Sequence, residues 1–422
     1  MDKIVLKVFL LVAVVSLPLV CAAEPICLDC HKKITPQVVR DWQLSKHNTK
    51  GIDCTQCHGD KHQSETDVAK AEIPTPDTCA KCHDKQVRQY RGGKHAFGWA
   101  AMKQLPLIHW QPLAGTESMQ KGCGVCHKVG VKSAQEIQDL KKSGQIFGNA
   151  SCDSCHTRHA FSVQEAKQPQ ACQTCHVGLD GPQWEMYSVS KHGVRYLLKQ
   201  NRTLPEDIAA PTCQTCHMQD GNHAVRTAWG FFAFRLPMPE DEEWAADRTL
   251  IMQQLGLLGA DGNPTETMKT VKEMDVFRLT NEEWQKDRDK MVKTCHQCHS
   301  VNFVNAEMAK GDQIIKTADH LMAEGLRIVD ALYRDGLLKR PEAPLYPFPG
   351  LTEFPAIEQK LFFMLSQQRM RAFQGAFHSN LDYTYWQGLS AMQRSLTEIK
   401  EMAAEIREKA AERTLREEEE PE

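Results

Sequence analysis

The apolar positions divide the chain into two unlike stretches. Between residue 24 and about residue 300 few periodic segments exceed a dozen residues. Proline and glycine recur there, as in Pro74-Thr75-Pro76, Gly92-Gly93 and the stretch from Pro205 to Pro211. Such punctuation predicts short helices and loops. Beyond residue 300 the pattern changes. Ile314, Ala318, Leu321, Gly325, Ile328 and Leu332 recur at steps of three and four, the stripe of an amphipathic helix. Proline-rich residues 341–349 interrupt it. Phe354 to Phe377 then reads as a second helix with Leu361, Met364, Leu365 and Phe373 on one stripe. A third runs roughly from Trp386 to Arg416. These stripes read as core packing, so the expectation is a C-terminal bundle of long helices over 301–422.

The 24–300 stretch is unified by a motif rather than by periodicity. Cys-x-x-Cys-His occurs eight times: Cys27/Cys30/His31, Cys54/Cys57/His58, Cys79/Cys82/His83, Cys123/Cys126/His127, Cys152/Cys155/His156, Cys172/Cys175/His176, Cys213/Cys216/His217 and Cys295/Cys298/His299. Chance would give about 0.03 copies at this composition. The spacing is the attachment signal for c-type haem. The two thiols become thioethers and the adjacent histidine becomes the proximal iron ligand. Sixteen of the 17 cysteines are used this way. The expectation is therefore a mainly α protein, a multihaem cytochrome c with short helices and loops wrapped on eight covalently attached haems. Porphyrin would supply much of its apolar core, which accounts for a hydrophobic fraction of only 41%.

Residues 1–23 read as a signal peptide. Lys3 and Lys7 precede the apolar run Val8–Val15, and Cys21-Ala22-Ala23 offers a small-residue cleavage site. A lipid-modified Cys21 is the alternative reading. The expected location is periplasmic, and with Cys21 removed no disulfide is expected. A net charge of -3 and the absence of a lysine or arginine block argue against nucleic-acid binding. Haem propionates would make the loaded protein more acidic still.

A haem that only relays electrons has both axial sites filled, whereas one that does chemistry keeps one open. Ten histidines lie outside the proximal set. His62 and His159 closely follow motifs. His47 and His192 share the string Ser-Lys-His, and His95 and His223 sit in comparable glycine-containing strings. These six, with His109, are the candidate distal iron ligands. His296 lies between the thiols of the last motif and His320 on the C-terminal helix. Both read as bland surface positions, and His378 stays open. Ten candidates allow eight closed irons, or seven closed and one open.

Several strings together resemble the octahaem hydroxylamine oxidoreductase family. They include His95-Ala-Phe-Gly-Trp, Thr116 to Gly130, Cys152 to Ser162, Pro182 to Gly193, Cys213 to Gly230 and Phe377 to Gly388. The resemblance implies that the fourth haem, on Cys123, Cys126 and His127, is catalytic and that the other seven are bis-histidine wires. It implies a homotrimer in which a tyrosine of a neighbouring subunit bonds to the catalytic haem. Tyr383 matches that tyrosine, with Tyr385 as the fallback. Asp180 matches the family's active-site aspartate, but Gly181 stands where its histidine would be. That departure leaves the direction open, because imidazole is the usual acceptor of substrate protons near neutral pH.

The implied substrate is hydroxylamine or a related small nitrogen compound. Its many-electron conversion needs a set of haems to hold or drain electrons. A redox partner, either a cytochrome or a membrane quinone-linked cytochrome, is expected. The alternatives are a multihaem nitrite or hydroxylamine reductase, sulfur-oxyanion chemistry, and a non-catalytic electron-transfer cytochrome.

Overall fold

The computed structural model describes residues 26–104, 122–145, 148–178, 181–228, 233–273, 280–340 and 354–419. The signal-peptide segment, His109 and Asp180 lie outside these residues. No strand occurs among the described residues, only an isolated bridge between Leu258 and Pro264. Nor is any described helix long and apolar enough to cross a membrane.

The described residues up to about residue 200 form short pieces. Ile26–Ile34, Pro36–Leu44, Lys46–Thr49 and Thr55–His58 follow one another with tight turns between them. Pro76–Arg91 is longer, but its backbone leaves helical geometry at His83. Gly124–His127 and Cys213–His217 each consist largely of one haem motif. The two Ser-Lys-His strings share one local fold. Ser45 and Ser190 are N-cap residues whose hydroxyls accept from the backbone N–H of Asn48 and Gly193, at 3.1 and 3.2 Å. Each cap fixes a helix start, and so fixes the direction of the histidine two residues on. Gly193 is required there: a Cβ would sit 1.9 Å from the Tyr187 carbonyl oxygen.

The expected long helix is Val301–Arg334, which buries Ile314, Ile315, Ala318, Met322, Leu326, Val329 and Leu332. The second forms as Ala356–Phe363 and Met370–Phe377 joined by a π-helical segment, Met364–Arg369. The third, Ser390–Glu419, is preceded by a π-helical segment, Asp382–Leu389, that carries Tyr383. The same apolar cluster reaches back to Ala228, Leu236, Ile251, Met252 and Leu257, through a helix over Glu242–Gln254.

One ionic cluster sits inside this bundle. Asp319, fully buried, accepts from Arg369 Nη2 at 2.6 Å, from Arg248 Nη1 at 3.0 Å and from Trp244 Nε1 at 2.8 Å. Burial alone would raise its pKa. The two guanidinium groups and the indole N–H outweigh that and hold it below the usual carboxylate range.

Candidate functional site

Seven of the eight motif histidines each face one other histidine ring. The pairs are His31–His62 at 6.2 Å between ring centroids, His83–His47 at 6.2 Å and His58–His159 at 6.2 Å. His176–His95 follows at 6.1 Å, His156–His223 at 6.3 Å, His299–His192 at 6.0 Å and His217–His378 at 6.4 Å. A shared metal tests this spacing. With a metal–nitrogen bond of about 2 Å on each side, the two ring centroids would lie roughly 6 Å apart. Each pair thus fits an iron held between its imidazoles.

The distribution of Nδ1 partners points the same way. Nδ1 of His31 meets Thr35 Oγ1 at 2.8 Å, that of His58 the Glu72 carbonyl at 3.1 Å, and that of His176 Gln183 Oε1 at 3.1 Å. His378 Nδ1 meets the Gln374 carbonyl at 2.8 Å and His62 Nδ1 meets Asp67 Oδ1 at 2.9 Å. Engaging Nδ1 fixes the tautomer and leaves Nε2 for a metal. Burial also pushes His95 and His217 down to about 4, which keeps them neutral as metal ligands must be.

Between the pairs lies one connected cavity of about 3020 Å³, lined by all eight motif histidines, the seven partners and most motif cysteines. The thiols order the motifs within it. Cys54 lies near Cys27, and Cys57 near Cys79 and Cys82. Cys79 lies near Cys152, Cys155 near Cys172, and Cys172 near Cys213. Cys216 neighbours Cys295 and Cys298. The motifs therefore run first, second, third, fifth, sixth, seventh, eighth. The fourth joins from the side, through Cys126 and Cys175 of the sixth.

The fourth motif is the exception in the pairing. His127 Nδ1 meets the Gly98 carbonyl at 2.7 Å, in a close approach that Gly130 permits: a Cβ there would lie 2.0 Å from Trp99 N. No described histidine remains for its other side. Seven of the ten non-motif histidines are taken. His296 is exposed, and His320 is held at 3.1 Å by Asp247. His109 lies outside the described residues.

Sequence reasoning left His378 open, and the structure pairs it with His217. It closes the helix Met370–Phe377, so its place depends on how the bundle docks. The signal available was the adjacent Tyr-rich string. His62 and His159 face motifs other than those they follow. A histidine a few residues past a proximal one stands on the same side of that haem and cannot reach round it.

Tyr383, expected at the catalytic haem, is half-buried and is not among the residues lining its own chain's cavity. Burial, then the nearby Glu185 carboxylate, raise its phenol above the ordinary value.

These features define a multihaem c-type cytochrome. The chain belongs to the family described as seven times multi-haem cytochrome CxxCH, whose model matches residues 23–248 and 270–343 and so takes in all eight motifs. A probable nitrite reductase-hydroxylamine oxidoreductase fusion protein of Kuenenia stuttgartiensis is 25% identical over 476 residues, 90% of this chain and 51% of that protein. The chain thus spans about half the length of this curated relative. In fold it resembles the reducing HAO-like protein complex of Kuenenia stuttgartiensis, with a TM-score of 0.65 at 22% identity over 92% of this chain and 86% of that one. A solved hypothetical multiheme protein gives a TM-score of 0.63 at 20% identity, over 92% and 96%. The fold is of the hydroxylamine-oxidoreductase type.

Proposed function

We propose that the chain is a periplasmic oxidoreductase carrying eight covalent c-type haems, and that it acts on hydroxylamine or a related small nitrogen compound at the fourth. One observation carries this reading: His127 is the motif histidine left without a described partner ring, while the other seven are paired at 6.0–6.4 Å. Haem, when bound, supplies iron that accepts and gives up single electrons. The chain's own residues prepare the asymmetry. The Gly98 carbonyl accepts from His127 Nδ1–H, which leaves Nε2 free for a metal. The other pairs would hold an iron from both sides and would suit relay rather than chemistry. Adjacent thiols of the fourth and sixth motifs give the reacting centre one short connection to the relay.

The relative named as a nitrite reductase-hydroxylamine oxidoreductase fusion supports the substrate class. Tyr383, outside its own chain's cavity, suits donation to a neighbouring subunit of a homotrimer and goes with oxidation. Gly181 in place of the family histidine favours a second reading, reduction, and the solved relative described as reducing supports it. A cytochrome or a quinone-linked membrane cytochrome is the proposed redox partner.

Carbon monoxide added to the dithionite-reduced, haem-loaded protein should bind one haem in eight, and His109→Ala should leave that uptake unchanged. No uptake would make the chain an electron carrier with every iron closed. A red-shifted band beyond the ordinary c-type peaks, lost in Tyr383→Phe, is the outcome expected of a cross-linked, oxidising haem. Carbon monoxide uptake with a plain c-type spectrum would favour reduction.

A further inference from the structure

The seven pairs are not equivalent in what holds their imidazoles. The Nδ1 partners of His31, His58, His127, His176 and His378 are a hydroxyl, an amide oxygen or backbone carbonyls. His217 has no Nδ1 partner among the described residues. His62 alone among the described axial candidates donates to a carboxylate, Asp67 Oδ1 at 2.9 Å. That oxygen is fixed in turn by the backbone N–H groups of Gln63 and Ser64, at 3.0 and 2.9 Å, and the side chain is only 15% exposed. A carboxylate accepting the ring N–H raises the basicity of the ligand, and a more basic ligand favours the oxidised iron. The pair His31–His62 also belongs to the first motif, which lies at one end of the thiol-ordered series, beside the second.

We propose that Asp67 gives the haem between His31 and His62 the lowest reduction potential of the set and so makes this end of the series its electron-input end. This rests on the assignment of these two histidines as ligands of the first haem. Electrons run from low potential to high. A low-potential terminus takes one electron at a time from a reduced one-electron donor protein, which is itself oxidised by one electron, and passes it inward. This goes with reductive chemistry at the fourth haem. Asp67 acts through His62 and is a positioning residue.

The test is a spectroelectrochemical titration of the haem-loaded protein, comparing wild type with Asp67→Asn and Glu65→Gln. Asn keeps the shape and an acceptor for Gln63 and Ser64 while removing the charge. Glu65→Gln removes the same charge from an exposed neighbour that touches no imidazole. The expected result is that the lowest component of wild type moves to higher potential in Asp67→Asn, the others stay, and Glu65→Gln matches wild type. An unmoved titration, movement of a component other than the lowest, or an equal shift in Glu65→Gln would overturn the proposal. Iron content and the low-spin signal of His62→Ala are measured alongside. Fewer than eight haems in wild type, or an unchanged low-spin signal in His62→Ala, would instead sink the ligand assignment beneath it.

Discussion

The helix Val301–Arg334 buries twelve of its residues against protein, whereas Ile26–Ile34 at the opposite end of the chain buries Leu28 alone. Both are helices, and the difference lies in what covers them. The C-terminal bundle closes on Leu, Ile, Met and Phe side chains of its own and of residues 228–268. The motif-bearing stretch, with Phe303, Phe362, Phe373 and Phe377 of the bundle at one side, surrounds a cavity of about 3020 Å³ into whose walls the motif histidines and most motif cysteines are set. Its side chains cannot fill that space, so its stability must come from the bound group. The bundle's stability comes from ordinary burial of apolar surface.

The sharpest way to break this comparison is to withhold haem. In the full chain produced without haem attachment, amide exchange over residues 26–228 should become fast, while Val301–Arg334 keeps its protection. Equal loss in both regions would show that the bundle also depends on the haem part. A smaller effect is expected inside the bundle. Asp319→Ala in the loaded protein leaves Arg248 and Arg369 buried without their carboxylate, a change that typically costs about 3–5 kcal/mol. Exchange rates in Val301–Arg334 measure it, and the motif region should respond less.

The smallest effect is the acid response of the same residue. Asp319 is held below the ordinary carboxylate value, so its contribution is present above the unfolded value of about 3.9 and is lost as pH falls toward the folded one. The bundle should therefore loosen below about pH 4, and Asp319→Asn should flatten that dependence. An unchanged acid limb in the variant would assign it to other groups.

Much of the site was legible in the sequence because covalent haem attachment is written locally. Cys27-x-x-Cys30-His31 and its seven repeats need no tertiary context, and Ser190-Lys191-His192 carries its own helix cap. The partners were less legible. His95 faces His176 and His192 faces His299 across long stretches of chain, and nothing in either string names its counterpart. His378 was hardest, since its position follows from the docking of a whole helix. The stripes of the bundle predicted the long helices well. The π-helical turns at Met364–Arg369 and Asp382–Leu389 left no mark, because one extra residue per turn barely disturbs a stripe of apolar positions.

Gln374 joins the two regions at one point. Its backbone carbonyl meets His378 Nδ1, and its side-chain oxygen accepts from Gln183 at 2.9 Å, which in turn holds His176. Biogenesis inherits a schedule from this. A chain emerging from its N-terminus presents His47, His95 and His192 before the motifs they face. His217 must wait for His378, near the far end of the chain. Of the seven paired positions the seventh is thus the last that can be completed, and a synthesis arrested short of His378 would leave His217 without its facing ring.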